Sequence, residues 1–129
     1  MKRKIIFSIP IILVLAGIIW WLCFSFGFFT PYNFITARQD ISYGKIQVIV
    51  YGKPFRPEET QLCAKKYGFE FNFIGCMVTK ELINGTNKYN QEVEKYLDAK
   101  YGADFLNRFY HQLDSIIKKD TIELRKTNR

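Results

Sequence analysis

From Ile5 to Phe29 the chain carries no charged residue, and Lys2-Arg3-Lys4 stand immediately before that run. The next charge is Arg38. About 20 apolar residues are enough for a helix to cross the core of a bilayer. The expectation is a single-pass membrane protein with an uncleaved signal-anchor, a transmembrane helix over residues 5–29 that contacts lipid. A cleaved signal has an apolar core of only about 7–15 residues followed by small residues. Ser25-Phe26-Gly27 is the one small-x-small candidate, and bulky Phe28-Phe29 follow it. Cys23 follows Trp20-Trp21-Leu22, which is not the setting of a lipoprotein cysteine. Basic residues cluster before the run, and only Arg38 follows it closely. That asymmetry puts the N-terminus in the cytoplasm and the C-terminal domain on the periplasmic or extracellular side. No ionisable residue interrupts the run, so a plain tether is expected rather than a transport pathway.

The organisation that follows is a basic cytoplasmic N-terminus over residues 1–4, the anchor over 5–29, an exported small α+β domain over 30–119 and a polar tail over 120–129. About 90 residues suffice for one domain with one modest core. The formal net charge of the 129-residue chain is +7, but much of it lies at the two ends. Between Thr30 and Asp120 acidic residues nearly balance basic ones, and the two signs alternate. Nucleic-acid binders concentrate basic residues on a face or stripe, so no nucleic-acid partner is expected.

Within the exported part, Thr30-Pro31 breaks the first helix. Tyr32 to Tyr43 reads as a short helix stopped by Gly44. Ile46-Gln-Val-Ile-Val-Tyr51 is β-branched and reads as a strand. Gly52 to Pro57 is a loop. Pro57 opens a helix that has Glu58 and Glu59 in its first turn, Lys65 and Lys66 in its last, and Gly68 as its stop. Phe69 to Val78 alternates, with Phe69, Phe71 and Phe73 on one face. Gly75 is a candidate bulge. Strand, helix and strand form a βαβ unit with parallel strands and a right-handed crossover.

Asn84-Gly85 marks a turn, and Asn84-Gly85-Thr86 is also a glycosylation sequon. Tyr89, Val93, Tyr96, Leu97 and Tyr101 follow helical spacing. After Gly102, the residues Phe105, Leu106, Phe109, Leu113, Ile116 and Ile117 make the apolar stripe of a last helix that frays from Lys118. The expected fold class is therefore α+β: an N-terminal single transmembrane helix followed by a small βαβ unit packed on a C-terminal helical hairpin. Two strands are few for an independent sheet. Either a third strand lies in Thr79 to Ile83, or the helices carry the stability, or a partner completes the sheet.

No catalytic, cofactor or metal site is expected. Cys63 and Cys76 are separated by a helix end and most of a strand, too far for the Cα spacing of about 7 Å that bounds a disulfide, and are expected to be free thiols. A catalytic thiol needs a base beside it, and the sole histidine, His111, lies on another helix at the core boundary. Zinc needs three or four suitable ligands, and Cys63, Cys76 and His111 match no such spacing. Glu58-Glu59 and Glu92/Glu94 are explained by helix-start and surface positions. The abundant tyrosines and phenylalanines suit packing or a protein interface.

The reading is thus a membrane-anchored, non-catalytic interaction domain with an accessory, inhibitory or scaffolding role and a protein partner. One alternative is a small membrane-tethered thiol-redox protein or other enzyme using Cys63, Cys76 or His111. The other is a ligand sensor.

Overall fold

A computed structural model describes the backbone of residues 2–52 and 56–127, with side chains from 10 to 118. The expected loop over 52–57 falls partly, and the side chains of Lys2-Arg3-Lys4 and of the 120–129 tail fall wholly, outside these residues. The elements in order are α1 (Lys2–Phe26), α2 (Phe34–Ser42), β1 (Gln47–Tyr51), α3 (Pro57–Lys66), β2 (Glu70–Ile74), α4 (Lys80–Tyr101) and α5 (Phe105–Thr127).

Among the described residues no helix is long and apolar enough to cross a membrane. This corrects the expected anchor over 5–29, and with it the transmembrane element of the fold class and the placement of the two ends on opposite sides of a membrane. The described side chains of α1 begin at Pro10, and the helix ends at Phe26. Gly27-Phe28-Phe29 are not part of the helix. Gly27 adopts a positive φ of 63°, and the chain turns there onto the rest of the molecule. Ring contacts of Phe26 and Phe28 with Phe34 fasten the turn to α2, at 6.5 and 5.4 Å between centroids. The apolar side chains from Ile11 to Leu15 and from Ile18 to Leu22 are exposed.

The turn after α1 lies on α4, and the crossing explains Gly85. A Cβ on Gly85 would fall well under 3.0 Å from the Thr30 hydroxyl and the Tyr32 carbonyl; one on Gly27 would meet the Gly85 backbone just as closely. The Thr30 hydroxyl sits between the Gly27 and Tyr32 carbonyls at 2.6 and 2.8 Å. Asn84-Gly85 is therefore not a turn. It lies inside α4, which starts nine residues before Tyr89 at Lys80, with Thr79 as its N-cap accepting from the Leu82 N–H. The segment 79–83 is the start of a helix rather than a third strand. Thr86, the third residue of the sequon, is fully buried.

The βαβ unit has the expected parallel pairing, with Gln47 opposite Glu70 and Tyr51 opposite Ile74. α3 forms where local signals place it. Pro57 is at its start, Glu58 and Glu59 lie in the first turn, and Lys65 and Lys66 in the last. Each of these choices favours that end of the helix dipole. β2 is shorter than the expected 69–78 and ends at Ile74, before Gly75. α2 is framed by Asn33, whose side chain accepts from Ile35 and Thr36 while Thr36 bonds back to the Asn33 N–H. This is a capping box.

One face of the sheet carries Phe69, Phe71 and Phe73. α5 lies against it, with the Phe109 ring 5.2 Å from Phe69 and 5.9 Å from Phe71. Phe105, Leu106 and Leu113 are buried beside them. Two expectations for α5 are revised. Ile116, expected in the apolar stripe, is exposed, and the helix continues to Thr127 rather than fraying from Lys118.

The opposite face holds a polar network. The Tyr89 hydroxyl donates to Asp40 Oδ2 at 2.6 Å. Gln47 Nε2 donates to the same oxygen and to the Tyr89 hydroxyl, both at 3.0 Å. Asn72 Nδ2 donates to the Tyr32 hydroxyl at 3.1 Å and to Gln47 Oε1 at 3.2 Å. Gln47 and Tyr89 are buried, and their polar atoms are partnered, as buried polar groups must be. The network ties α2, β1, β2 and α4 together.

Burial above all, then the bond to Asp40, holds the Tyr89 hydroxyl well above its ordinary tyrosine value, against the Gln47 bond that lowers it. A group raised on folding contributes fully below its unfolded pKa, about 10 for tyrosine. That contribution is lost as pH rises further, because the unfolded chain ionises first. The expected result is a urea midpoint that falls above about pH 10. In Tyr89→Phe the midpoint should be lower at neutral pH and should fall less steeply from pH 9.5 to 11.

Candidate functional site: the open edge of the sheet

A two-stranded sheet has two outer edges, and this chain treats them differently. In β1, Ile49 faces away from β2. The Asn90 side chain on α4 accepts from the Ile49 N–H at 2.9 Å and donates to the Ile49 carbonyl at 2.8 Å. One amide thus takes the place of a neighbouring strand. It satisfies both backbone groups of Ile49, the central of the three outward residues of β1.

β2 is closed by less. The Glu70 N–H bonds to Ile46 and the Gly52 N–H to the Ile74 carbonyl. In a parallel ladder successive residues alternate between inward and outward, so Phe71 and Phe73 present their backbone groups to the outside. Gln61 on α3 accepts from the Phe71 N–H at 2.9 Å. Among the described residues nothing bonds to the Phe71 carbonyl or to either backbone group of Phe73.

Beside this edge lies a groove of about 510 Å³, lined by Pro57, Glu58, Gln61, Leu62, Lys65, Phe71 and Phe73. The volume falls within the roughly 300–1,000 Å³ of ordinary ligand sites. Its floor is the half-buried Phe73 ring stacked at 6.0 Å on Phe71, and its wall is the outer side of α3, where Leu62 is 62% exposed. The groove therefore joins apolar surface to one backbone N–H, that of Phe73, and to the Phe71 and Phe73 carbonyls, which have no partner among the described residues. That combination can hold an extended chain; it includes no nucleophile paired with a base.

The residues weighed for chemistry from sequence lie elsewhere. Cys63 is half-buried on α3 and lines a cleft of about 150 Å³ with Tyr67, Phe109 and Leu113. Cys76 is exposed beyond the end of β2, and both thiols are free. His111 is exposed on α5, not at the core boundary. No hydrogen bond joins Cys63, Cys76 and His111, and among the described residues no group of three or more His, Cys, Asp or Glu could hold a metal ion. Glu92 is occupied by Arg38 and Lys95, each at 2.7 Å. Those two bonds, Lys95 first, hold its carboxyl below the usual range.

Neither Asn90 nor Gln61, the residues that bond to the two edges, was given a role from sequence. Their signal is weak: a polar side chain on a helix reads as solvent-facing unless the helix is known to lie along a strand. Comparison with protein-family models, with curated proteins and with solved structures finds no match for this chain.

Proposed function

We propose that this domain is a non-catalytic interaction module that takes an extended segment of a partner protein as a third strand on the outer edge of β2. The observation that carries the reading is the asymmetry of the edges. Asn90 pairs both backbone groups of Ile49 at the centre of β1, whereas among the described residues one of the four outward groups of Phe71 and Phe73 on β2 is met, by Gln61. Proteins usually blunt exposed edges with charge, proline or cover. Here the outer edge of β2 has Phe71 and Phe73 and a groove beside them. Strand addition draws affinity from main-chain hydrogen bonds and specificity from pockets for alternate side chains. Both are available at this edge.

The test uses the full chain and a pool of short peptides with valine at alternate positions, followed by amide hydrogen exchange. Bound peptide should slow exchange at Phe73 and leave Ile49, already bonded to Asn90, unchanged. Phe73→Pro removes the donor at an outward position, where an edge strand tolerates proline. It should weaken binding at least about tenfold while the fold is retained. The reading fails if no peptide in the pool slows Phe73, or if a folded Phe73→Pro binds as the parent does.

A further inference from the structure

The groove has a direction as well as a shape. β1 and β2 are parallel, so the intervening α3 runs back along β2 in the opposite sense. The Gln61 bond to the Phe71 N–H fixes the alignment between them. One helical turn before Gln61, Pro57 and Glu58 border the groove at its Phe73 end. One turn after it, Lys65 borders the other end, beside Phe69 and Glu70. An anionic group thus marks the end where β2 finishes, and a cationic group the end where it begins.

Both charges are available to a ligand. Glu59, next to Glu58, is engaged by Arg56 at 3.1 Å. Glu58 and Lys65 are exposed, and among the described residues neither has an ion pair. Lys66, the other basic residue in the last turn, borders the α5 cleft instead.

We propose that the groove selects an extended segment running antiparallel to β2, apolar at alternate positions, with a basic residue at its N-terminal end beside Glu58 and an acidic residue at its C-terminal end beside Lys65. This rests on the strand-addition reading above. Antiparallel pairing is the commoner and slightly the more stable arrangement per residue. In it the incoming N-terminus meets the Phe73 end of β2. Alternate side chains of the segment fall on the Phe71–Phe73 face and fill the groove against Leu62. The Gln61 amide is the internal stand-in for this segment. It must leave the Phe71 N–H when the segment binds, so Gln61 opposes entry.

The charges at the two ends supply polarity rather than most of the affinity. Exposed ion pairs are worth only about 0.2–1 kcal/mol each. The backbone bonds and the apolar groove are indifferent to which end carries which sign.

Two peptides of identical composition separate direction from binding: Lys-Thr-Val-Thr-Val-Thr-Glu, which puts Lys, both valines and Glu on the groove face, and its reverse, Glu-Thr-Val-Thr-Val-Thr-Lys, each acetylated and amidated so that the termini carry no charge. Titrated against the full chain at low salt, the first should bind about fivefold more tightly. The difference should shrink as salt rises. Exchanging the charges in Glu58→Lys with Lys65→Glu should reverse the order, and Gln61→Ala should tighten both. Exchange at Phe73 is read in every titration. Equal affinities with Phe73 protected would overturn the polarity and leave strand addition standing. Preference for the reverse peptide would mean a parallel strand, and would overturn the direction proposed. If neither peptide, nor any member of the valine pool, protects Phe73, the strand-addition reading itself fails.

Discussion

Phe109→Ala is expected to cost about 3–5 kcal/mol, the range typical of truncating a buried phenylalanine. Phe109 stands where the elements meet. Its ring touches Tyr67 at the end of α3 at 5.7 Å, Phe69 at 5.2 Å and Phe71 on β2 at 5.9 Å, as well as Phe105 and Tyr110 on its own helix. Losing it opens a void that three elements line, and none of them closes it without moving the others. Ordinary domains have only about 5–15 kcal/mol of stability in total, so much of the population should unfold at moderate urea. Ile116→Ala is the control. Ile116 lies two turns further along α5 and is 47% exposed, so its truncation should cost under about 1 kcal/mol. Similar urea midpoints for the two variants would show that α5 does not rest on the Phe69–Phe71 face.

Gly85→Ala is expected to destabilise by about 2 kcal/mol or more, opposite in sign to the usual result. Replacing an exposed mid-helix glycine by alanine gains up to about 1 kcal/mol from helix propensity. Here the added methyl meets the Thr30 hydroxyl and the Tyr32 carbonyl, and the Gly27 carbonyl lies at 3.2 Å. Two of these three neighbours are backbone, which cannot rotate aside. Relieving the overlap means lifting the turn after α1 off α4, with its ring contacts to Phe34. Overpacking of this kind typically costs about 1–3 kcal/mol. Gly17→Ala, on α1 with nothing within 4 Å of its Cβ position, should be neutral or slightly stabilising. A Gly85→Ala protein as stable as Gly17→Ala would remove the crossing.

These two residues also show what was legible beforehand. The stripe containing Phe109 follows from helical spacing, and the alternation of Phe69, Phe71 and Phe73 from strand spacing, because both patterns report burial directly. α3 was legible for another reason: proline, acid, base and glycine each act within one turn of where they stand. Gly85 was misread because Asn-Gly is the signature of a turn, and a glycine kept for a close helix crossing carries the same letters. The segment before it was then free to be taken for a third strand. The shortness of the sheet left a partner as one of three ways to complete it, and which edge was open did not follow. That depends on Asn90 reaching Ile49 across 41 residues, and no local pattern records such a contact. Gln47, polar in an otherwise apolar strand, was the one hint of the buried network with Asp40 and Tyr89. The uncharged run at the N-terminus drew attention by its length, whereas the helix stops at Phe26 and the turn beyond it is held by Gly85.

Asn90 has a further consequence during synthesis. β1 and β2 leave the ribosome before α4 exists, since the chain is made from the N-terminus. Gln47-Val-Ile-Val-Tyr51 is uncharged, β-branched and free of proline, the composition of segments that self-associate into cross-β aggregates. Until α4 docks, that strand has an outer edge as open as the one on β2. The guard against aggregation is therefore not built into the strand as a lysine or proline. It arrives later, on a helix, as a single amide that fits Ile49. Nascent or partly unfolded chains lacking that helix should aggregate through β1, and the intact domain should not.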